Sequence, residues 1–418
     1  MTEDNRFSKV QILIQQEKFD EAKKILSDLL SGEPNNIQLL LLMGEVLLQQ
    51  DKFYEAHRII ENAIGITPDE PQLFYMKSRI AMQEDEFHEA ESYIYKAIEL
   101  DPYDADYFAL LANIKLTRKK YGEALEMANK ALEIDAENLF ALNTRSAALI
   151  KLNRSDESFE TIEGALREDP NDAYTHANYG WGLLENGDHK KALTHFKEAL
   201  TNDPSSEYAQ AGILQAIQAT NPIYRLFLKY AFWMGNLTAK YQWGVIIGVY
   251  LAIRGLGKLA STNEALQPYL TPVIITLVLI IFSTWIISPI SNLFLRFNKY
   301  GQLLLDKKEK MSSSFVALSF VVSLIGILLY FLLPDERMLA IAIYGFAMML
   351  PLGTMFSPSK NKYVLLIYTI TLAVIGSLAV LLTFTTGDMF NSMTFPFVLG
   401  FVGFQLLANF MLIKEDNR

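Results

Sequence analysis

The sequence predicts an all-α protein in two parts: a solenoid of paired helices, then a six-helix transmembrane bundle. Three observations carry this. A 34-residue pattern recurs six times between residues 3 and 206, and a fixed period of that length marks stacked helix pairs. Beyond residue 240 lie six runs apolar enough to cross a bilayer. The charge changes at the same place. Residues 1–220 carry 22 Lys+Arg against 39 Asp+Glu, and residues 221–418 carry 15 against 8, so an acidic part precedes a weakly basic, apolar one.

The repeat is read most easily from "FHEAESYIYKAIELDP", residues 87–102. Stepping by 34 gives "FDEAKKILSDLLSGEP" at Phe19, "FYEAHRIIENAIGITP" at Phe53, "YGEALEMANKALEIDA" at Tyr121, "SDESFETIEGALREDP" at Ser155 and "DHKKALTHFKEALTNDP" over 188–204. One column reads Ala22, Ala56, Ala90, Ala124, Ser158, Ala192. A second, seven residues on, reads Leu29, Ala63, Ala97, Ala131, Ala165, Ala199. Positions seven apart share a helix face, so small side chains there admit a neighbouring helix. A third column, Pro34, Pro68, Pro102, Ala136, Pro170, Pro204, stops each helix by removing an amide donor. Each unit is two helices, a turn and a stop. Apolar stripes such as Leu40, Met43 and Leu47 mark the first helix. Segment 205–219 reads as a further first helix that caps the stack.

These columns make residues 3–220 resemble the tetratricopeptide repeat (TPR) family, whose unit is 34 residues of helix–turn–helix. The resemblance implies a right-handed superhelix with a concave groove for peptides or partner proteins. Helical phase on the first helices selects Tyr75, Arg79, Met82, Asn113, Phe140, Asn143, Tyr174, Trp181 and Leu184 for that groove. Each either faces the groove or packs between repeats. Aromatic and Met side chains suit apolar or amphipathic peptides.

The segment 221–241 is expected to be an amphipathic helix lying in the headgroup layer. Arg225, Lys229, Asn236 and Lys240 would form its polar side, with Arg225, Lys229 and Lys240 at the membrane surface. Then come the expected spans, near 242–260, 272–295, 313–333, 338–356, 363–384 and 395–413. The first carries Arg254 and Lys258 in its last third, and the fourth contains Pro351, which should kink it. Gly244, Gly248 and Ala252 place a small-residue face on the first span, expected to pack inside the bundle.

Orientation follows from loop charge. Segment 296–312 carries Arg296, Lys299, Lys307, Lys308 and Lys310. Segment 357–362 carries Lys360 and Lys362, and the tail carries Lys414 and Arg418. The intervening loops carry only Arg337. Cytoplasmic loops hold the Lys/Arg excess, so both termini and the repeats are expected in the cytoplasm of a multi-pass protein of a bacterial inner membrane.

The chain has no cysteine, and its five histidines all lie in the repeat half. Disulfides and thiolate metal sites are excluded. The membrane half lacks the imidazole that serine- or zinc-type hydrolases use. Asp388 reads as a loop residue. Mid-span polar groups are hydroxyls and amides, namely Ser283, Thr284, Thr369, Thr371, Gln405 and Asn409. No enzyme activity, cofactor, metal or nucleic-acid partner is expected. The function expected is a membrane-anchored scaffold or adaptor that binds cytoplasmic client proteins or peptides and couples them to a membrane-protein complex. The alternative is a transporter or channel regulated by its repeat domain.

Overall fold

The computed structural model describes residues 3–263, 265–296, 305–333, 335–357 and 363–416. It is helical with no strand among the described residues. The expected loop lysines Lys299, Lys360 and Lys362, and Arg418, lie outside the described residues. The chain divides into two compact units, Met1–Gly182 and Leu183–Arg418.

The first unit is built from α1 (Glu3–Gln15), α2 (Phe19–Gly32), α3 (Ile37–Gln49), α4 (Phe53–Ile66), α5 (Pro71–Gln83), α6 (Phe87–Leu100), α7 (Ala105–Thr117), α8 (Tyr121–Ile134), α9 (Leu139–Lys151), α10 (Ser155–Glu168) and most of α11 (Ala173–Asn186). Sequence period and structure agree at each joint. Ala56, Ala90, Ala124, Ala63, Ala97, Ala131 and Ala165 are fully buried. The facing first-helix positions, twelve residues earlier, are also small: Gly44, Ser78, Ala112 and Ser146. A Cβ at Gly44 would lie 2.7 Å from Ile60 Cδ1. The departure at Ser158 is accommodated: its hydroxyl lies 2.8 Å from that of Ser146 and donates to the Ser146 carbonyl at 3.0 Å.

Two further columns fix the helix ends. First helices start at N-caps spaced by multiples of 34. Asn36, Asp104, Asn138 and Asp172 accept from backbone amides two or three residues on, while Pro71 opens α5. Inside each pair the turn holds one left-handed residue: Glu17, Asp51, Asp85, Lys119 and Asn153, with φ of 56 to 63°. Gly187, the next in that series, has φ 95° in the second unit. A partly buried charge cluster ties α6, α7 and α8. The Lys115 ammonium donates to Glu91 at 2.5 Å and Glu123 at 2.7 Å, and Arg118 also pairs with Glu91. Burial opposes the Lys115 charge, but the two carboxylates prevail and push its pKa up.

The second unit continues with α12 (His189–Asn202) and α13 (Glu207–Gln218), the expected last repeat helix and cap. Helix α14 (Pro222–Gly235) follows, then α15 (Ala239–Thr262), α16 (Gln267–Leu295), α17 (Lys307–Leu332), α18 (Met338–Thr354), α19 (Val364–Thr386) and α20 (Thr394–Asp416). Five of these, α15, α16, α17, α19 and α20, are long and apolar enough to cross a membrane. The remaining expected span, α18, is not among the five: it has 17 residues and reaches about 26 Å. Helix α18 is nevertheless apolar and deeply packed, with Met348, Met349 and Leu350 buried. Its register against α17 is set by serines. Ser323 donates to the Ala342 carbonyl at 2.9 Å, Ser319 to Gly345 at 2.7 Å and Ser312 to Gly353 at 2.9 Å. The two helices are thus antiparallel, and α18 accompanies α17 from Gly326 back to Ser312.

The linker differs from expectation in extent and in facing. Helix α14 ends at Gly235, and Lys240 belongs to α15. The polar side of α14 turns towards the last repeat. Arg225 donates to the Ala219 carbonyl at 3.1 Å, Asn236 donates to Glu185 at 2.7 Å, and the Lys229 stem lies over Gly187. Arg225 and Asn236 thus find backbone and carboxylate acceptors, and the exposed residues of α14 include Lys229 and the apolar Ile223, Leu226, Tyr230 and Trp233. Tyr224 and Leu228 are buried. Burial pushes the Tyr224 hydroxyl up to about 12, against the opposing hydrogen bond with Ser288 of α16.

The small face of α15 also departs from expectation. A Cβ at Gly244 or Gly248 would meet nothing within 4 Å, and Ala252 is exposed. Gln242 and Ala260 are the buried residues of α15. The expected packing of this face inside the bundle is therefore absent among the described residues.

Candidate functional site: a cleft on the first helices

A cleft of about 510 Å³ opens in the first unit across four consecutive first helices. It is lined by Leu48 and Gln49 of α3, Asp51 of the following turn, Tyr75, Arg79, Met82 and Gln83 of α5, Leu110 and Asn113 of α7, and Phe140 of α9. Five residues selected from helical phase, Tyr75, Arg79, Met82, Asn113 and Phe140, therefore share one cavity. They meet because first helices lie side by side, so positions 34 apart or one turn off it converge.

The chemistry of the lining is specific. Arg79 is not a free cation. Its guanidinium forms a two-pronged pair with Glu45, one arm at 3.0 Å, the geometry that arginine and carboxylate favour. Burial works to raise the Glu45 carboxyl, but Arg79 outweighs it and holds it below the ordinary carboxylate range. Burial likewise opposes the Arg79 charge, and Glu45 reverses this so that its pKa rises. The guanidinium also lies 5.8 Å from the Tyr75 ring centre, and Tyr75 packs on Tyr107 with centroids 5.3 Å apart. Burial raises the Tyr75 hydroxyl, helped by the carboxylates of Asp106 and Glu45. The cleft thus offers two aromatic faces, a thioether, three amides and Asp51, with its one arginine already neutralised.

The other selected residues are placed elsewhere. Asn143 is buried, at 2 % exposure, and acts as a joint. Its amide donates to Thr175 at 2.7 Å and to the Leu139 carbonyl, and its oxygen accepts from Asn178 at 3.1 Å. Position 143 continues the column of Tyr75 by two repeats, and that column sinks into the seam between neighbouring first helices. Leu184 is buried, in the column of Leu48 and Met82. Tyr174 is exposed and Trp181 half-buried on α11; neither lines the cleft. Glu45, Gln49 and Asp51 were not selected from sequence. The signal was present: Glu45 stands 34 residues before Arg79 and Gln49 stands 34 before Gln83.

Among the described residues, no three His, Asp or Glu side chains converge as a metal site requires. Of the residues expected at the membrane surface, Arg225 is half-buried against the Ala219 carbonyl, while Lys229 on α14 and Lys240 on α15 are exposed.

Comparison with known proteins bears on this half of the chain. Tetratricopeptide repeat families match residues 13–80, 71–104, 105–138 and 145–207. No curated protein matches the chain. Among solved structures, the chain is similar to YrrB, titled a TPR protein with an unusual peptide-binding site, at 16 % identity, covering 44 % of this chain and 96 % of that one, with a TM-score of 0.32. It is similar to the MamA protein at 18 % identity, covering 40 % and 91 %, with a TM-score of 0.32. A tetratricopeptide repeat protein from Parabacteroides merdae matches at 17 % identity, covering 50 % and 81 %, with a TM-score of 0.44. Residues 13–207 of this chain are a tetratricopeptide repeat segment.

Proposed function

We propose that this protein is a membrane-anchored scaffold that binds short peptide segments of cytoplasmic partners and holds them beside a membrane-protein complex. The observation that carries the reading is the cleft across α3, α5, α7 and α9. Its aromatic and Met lining suits an apolar anchor residue, and its amides suit the backbone of an extended segment. Because Arg79 is committed to Glu45 and Asp51 faces the same cavity, the segment carries a basic residue beside its apolar one and is not gripped by a terminal carboxylate.

The membrane half is the anchor. We count α18 as a sixth crossing, supported by its antiparallel pairing along α17 through to Ser312. Six crossings and the Lys/Arg-rich loops put both termini in the cytoplasm of a bacterial inner membrane. Anchoring raises the local concentration of a weak partner, so modest cleft affinity suffices. Transport is the weaker reading. Ser283, Thr284, Thr369 and Thr371 each donate to a carbonyl of their own helix three or four residues back, leaving few of the mid-span hydroxyls for a hydrated path.

The test is a randomised peptide library panned against the full chain in detergent. Enriched peptides should pair an aromatic or aliphatic residue with Lys or Arg. Tyr75→Ala with Phe140→Ala should weaken them at least tenfold, and Asp51→Asn should relax the basic preference. A library that yields no enriched sequence, or peptides indifferent to the Tyr75 and Phe140 substitutions, would remove the cleft from the proposal.

A further inference from the structure

The amides inside the apolar helices fall into two groups. Asn292 of α16 accepts from Gln218 at 2.6 Å, and Gln242 of α15 donates to the Met234 carbonyl at 3.0 Å. Both are buried. Gln405 and Asn409 of α20 are different. They are half-buried and, among the described residues, no hydrogen bond or other polar partner meets either side chain. They stand one turn apart and share a face with Val398 and Val402, which are exposed. The core side of α20 is separate and is formed by Phe397, Phe404 and Ala408.

Depth makes this costly. Gln405 lies eleven residues after Thr394 and nine before Lys414, so about 14–17 Å of helix separates it from either end, and Asn409 lies one turn nearer the Lys414 end. Hydrocarbon offers no hydrogen bond, and polar side chains at that depth turn towards a protein partner. Serine and threonine evade the penalty by bonding their own backbone, as Thr371 does. The two amides do not. A primary amide both donates and accepts, so it is complementary to itself. In a two-fold dimer whose axis runs along the membrane normal, equal residues meet at equal depth.

We propose that the α20 face formed by Val398, Val402, Gln405 and Asn409 is the interface between two copies of this chain, with the amides paired across it. The valines bring the helices close and the amides fix their rotation and register. The inference rests on α20 being a span, and it is independent of what the cleft binds.

The chain has no cysteine, so single cysteines report cleanly. Val398→Cys, Val402→Cys, Leu406→Cys and Phe410→Cys each replace a residue that is about half exposed, the last two pointing off the face. Membranes holding each full-length variant are washed with alkaline carbonate and oxidised with copper phenanthroline. The expected result is a disulfide-linked dimer for Val398→Cys and Val402→Cys at least fivefold above Leu406→Cys and Phe410→Cys. Adding Gln405→Leu and Asn409→Leu to Val402→Cys should abolish it, with an unchanged thermal midpoint showing that the fold persists. Equal linking at all four positions, linking that survives the leucine pair, or a linked species of another mass identified as a different protein would each overturn the proposal. Loss of the protein in the carbonate wash would instead overturn the reading of α20 as a span.

Discussion

Helices α15 and α18 both carry glycine where close helix packing would use it, and they use it differently. A Cβ on Gly345 of α18 would sit 2.6 Å from the Ser323 nitrogen and 2.8 Å from the Ser319 carbonyl oxygen, so backbone meets backbone. On the other helix of that pair, Gly326 of α17 is equally tight against Ala342. On α15, Gly244 and Gly248 face open space. Spacing alone does not distinguish the two cases. What distinguishes them is the opposing helix. Helix α17 presents Ser312, Ser319 and Ser323, small enough to permit approach and able to donate to α18 carbonyls once there. In a membrane, where apolar contact between helices gains little over lipid, packing and hydrogen bonds must supply the preference.

The largest way to break this contrast is Gly345→Leu. The side chain has nowhere to go without parting α17 from α18, and a loss of about 3 kcal/mol is expected, read as a lowered thermal midpoint of the full chain in detergent. A midpoint like that of wild type would mean that the seam is looser than described. Ser323→Ala is a finer probe. It removes one hydroxyl bond but keeps the close approach, so about 0.6 kcal/mol is expected. A loss as large as that of Gly345→Leu would show that bonding, not fit, holds the seam. Gly248→Leu should be smallest, within about 0.5 kcal/mol. A clear destabilisation would reveal a packed partner for α15.

The same lesson governs what could be read from the chain in advance. In the repeats each joint is written six times, so Ala56, Ala90 and Ala124 disclose their role by recurrence, and the structure buries all three. The cleft was legible only in part: helical phase on the first helices selected Tyr75, Arg79, Met82, Asn113 and Phe140, which share one cavity, but also Asn143, Tyr174, Trp181 and Leu184, which do not line it. Asn143 escaped because exposure along a column drifts as successive helices rotate past one another, and a helical wheel drawn for one unit does not see the next. Glu45 escaped because its pairing with Arg79 shows only when successive members of one column are compared for charge. In the apolar helices from α15 onward no such period recurs. Apolar runs located the helices within a few residues, but which face of α15 or α17 is covered depends on neighbours that the local pattern does not encode. On α14 the local pattern groups Arg225, Lys229 and Asn236 on one side, but it does not show that Arg225 and Asn236 bond to protein while Lys229 stays exposed.

The Gln218–Asn292 bond has a mechanical meaning. It joins residues 74 positions apart, linking the last helix of the repeat stack directly to α16. Tension applied at α13 therefore passes to α16 across this short bridge, in parallel with the longer route through α14 and α15. A covalent linker alone would behave as a tether with slack. This cross-tie gives α13 and α16 a direct connection that does not depend on the path through α14 and α15.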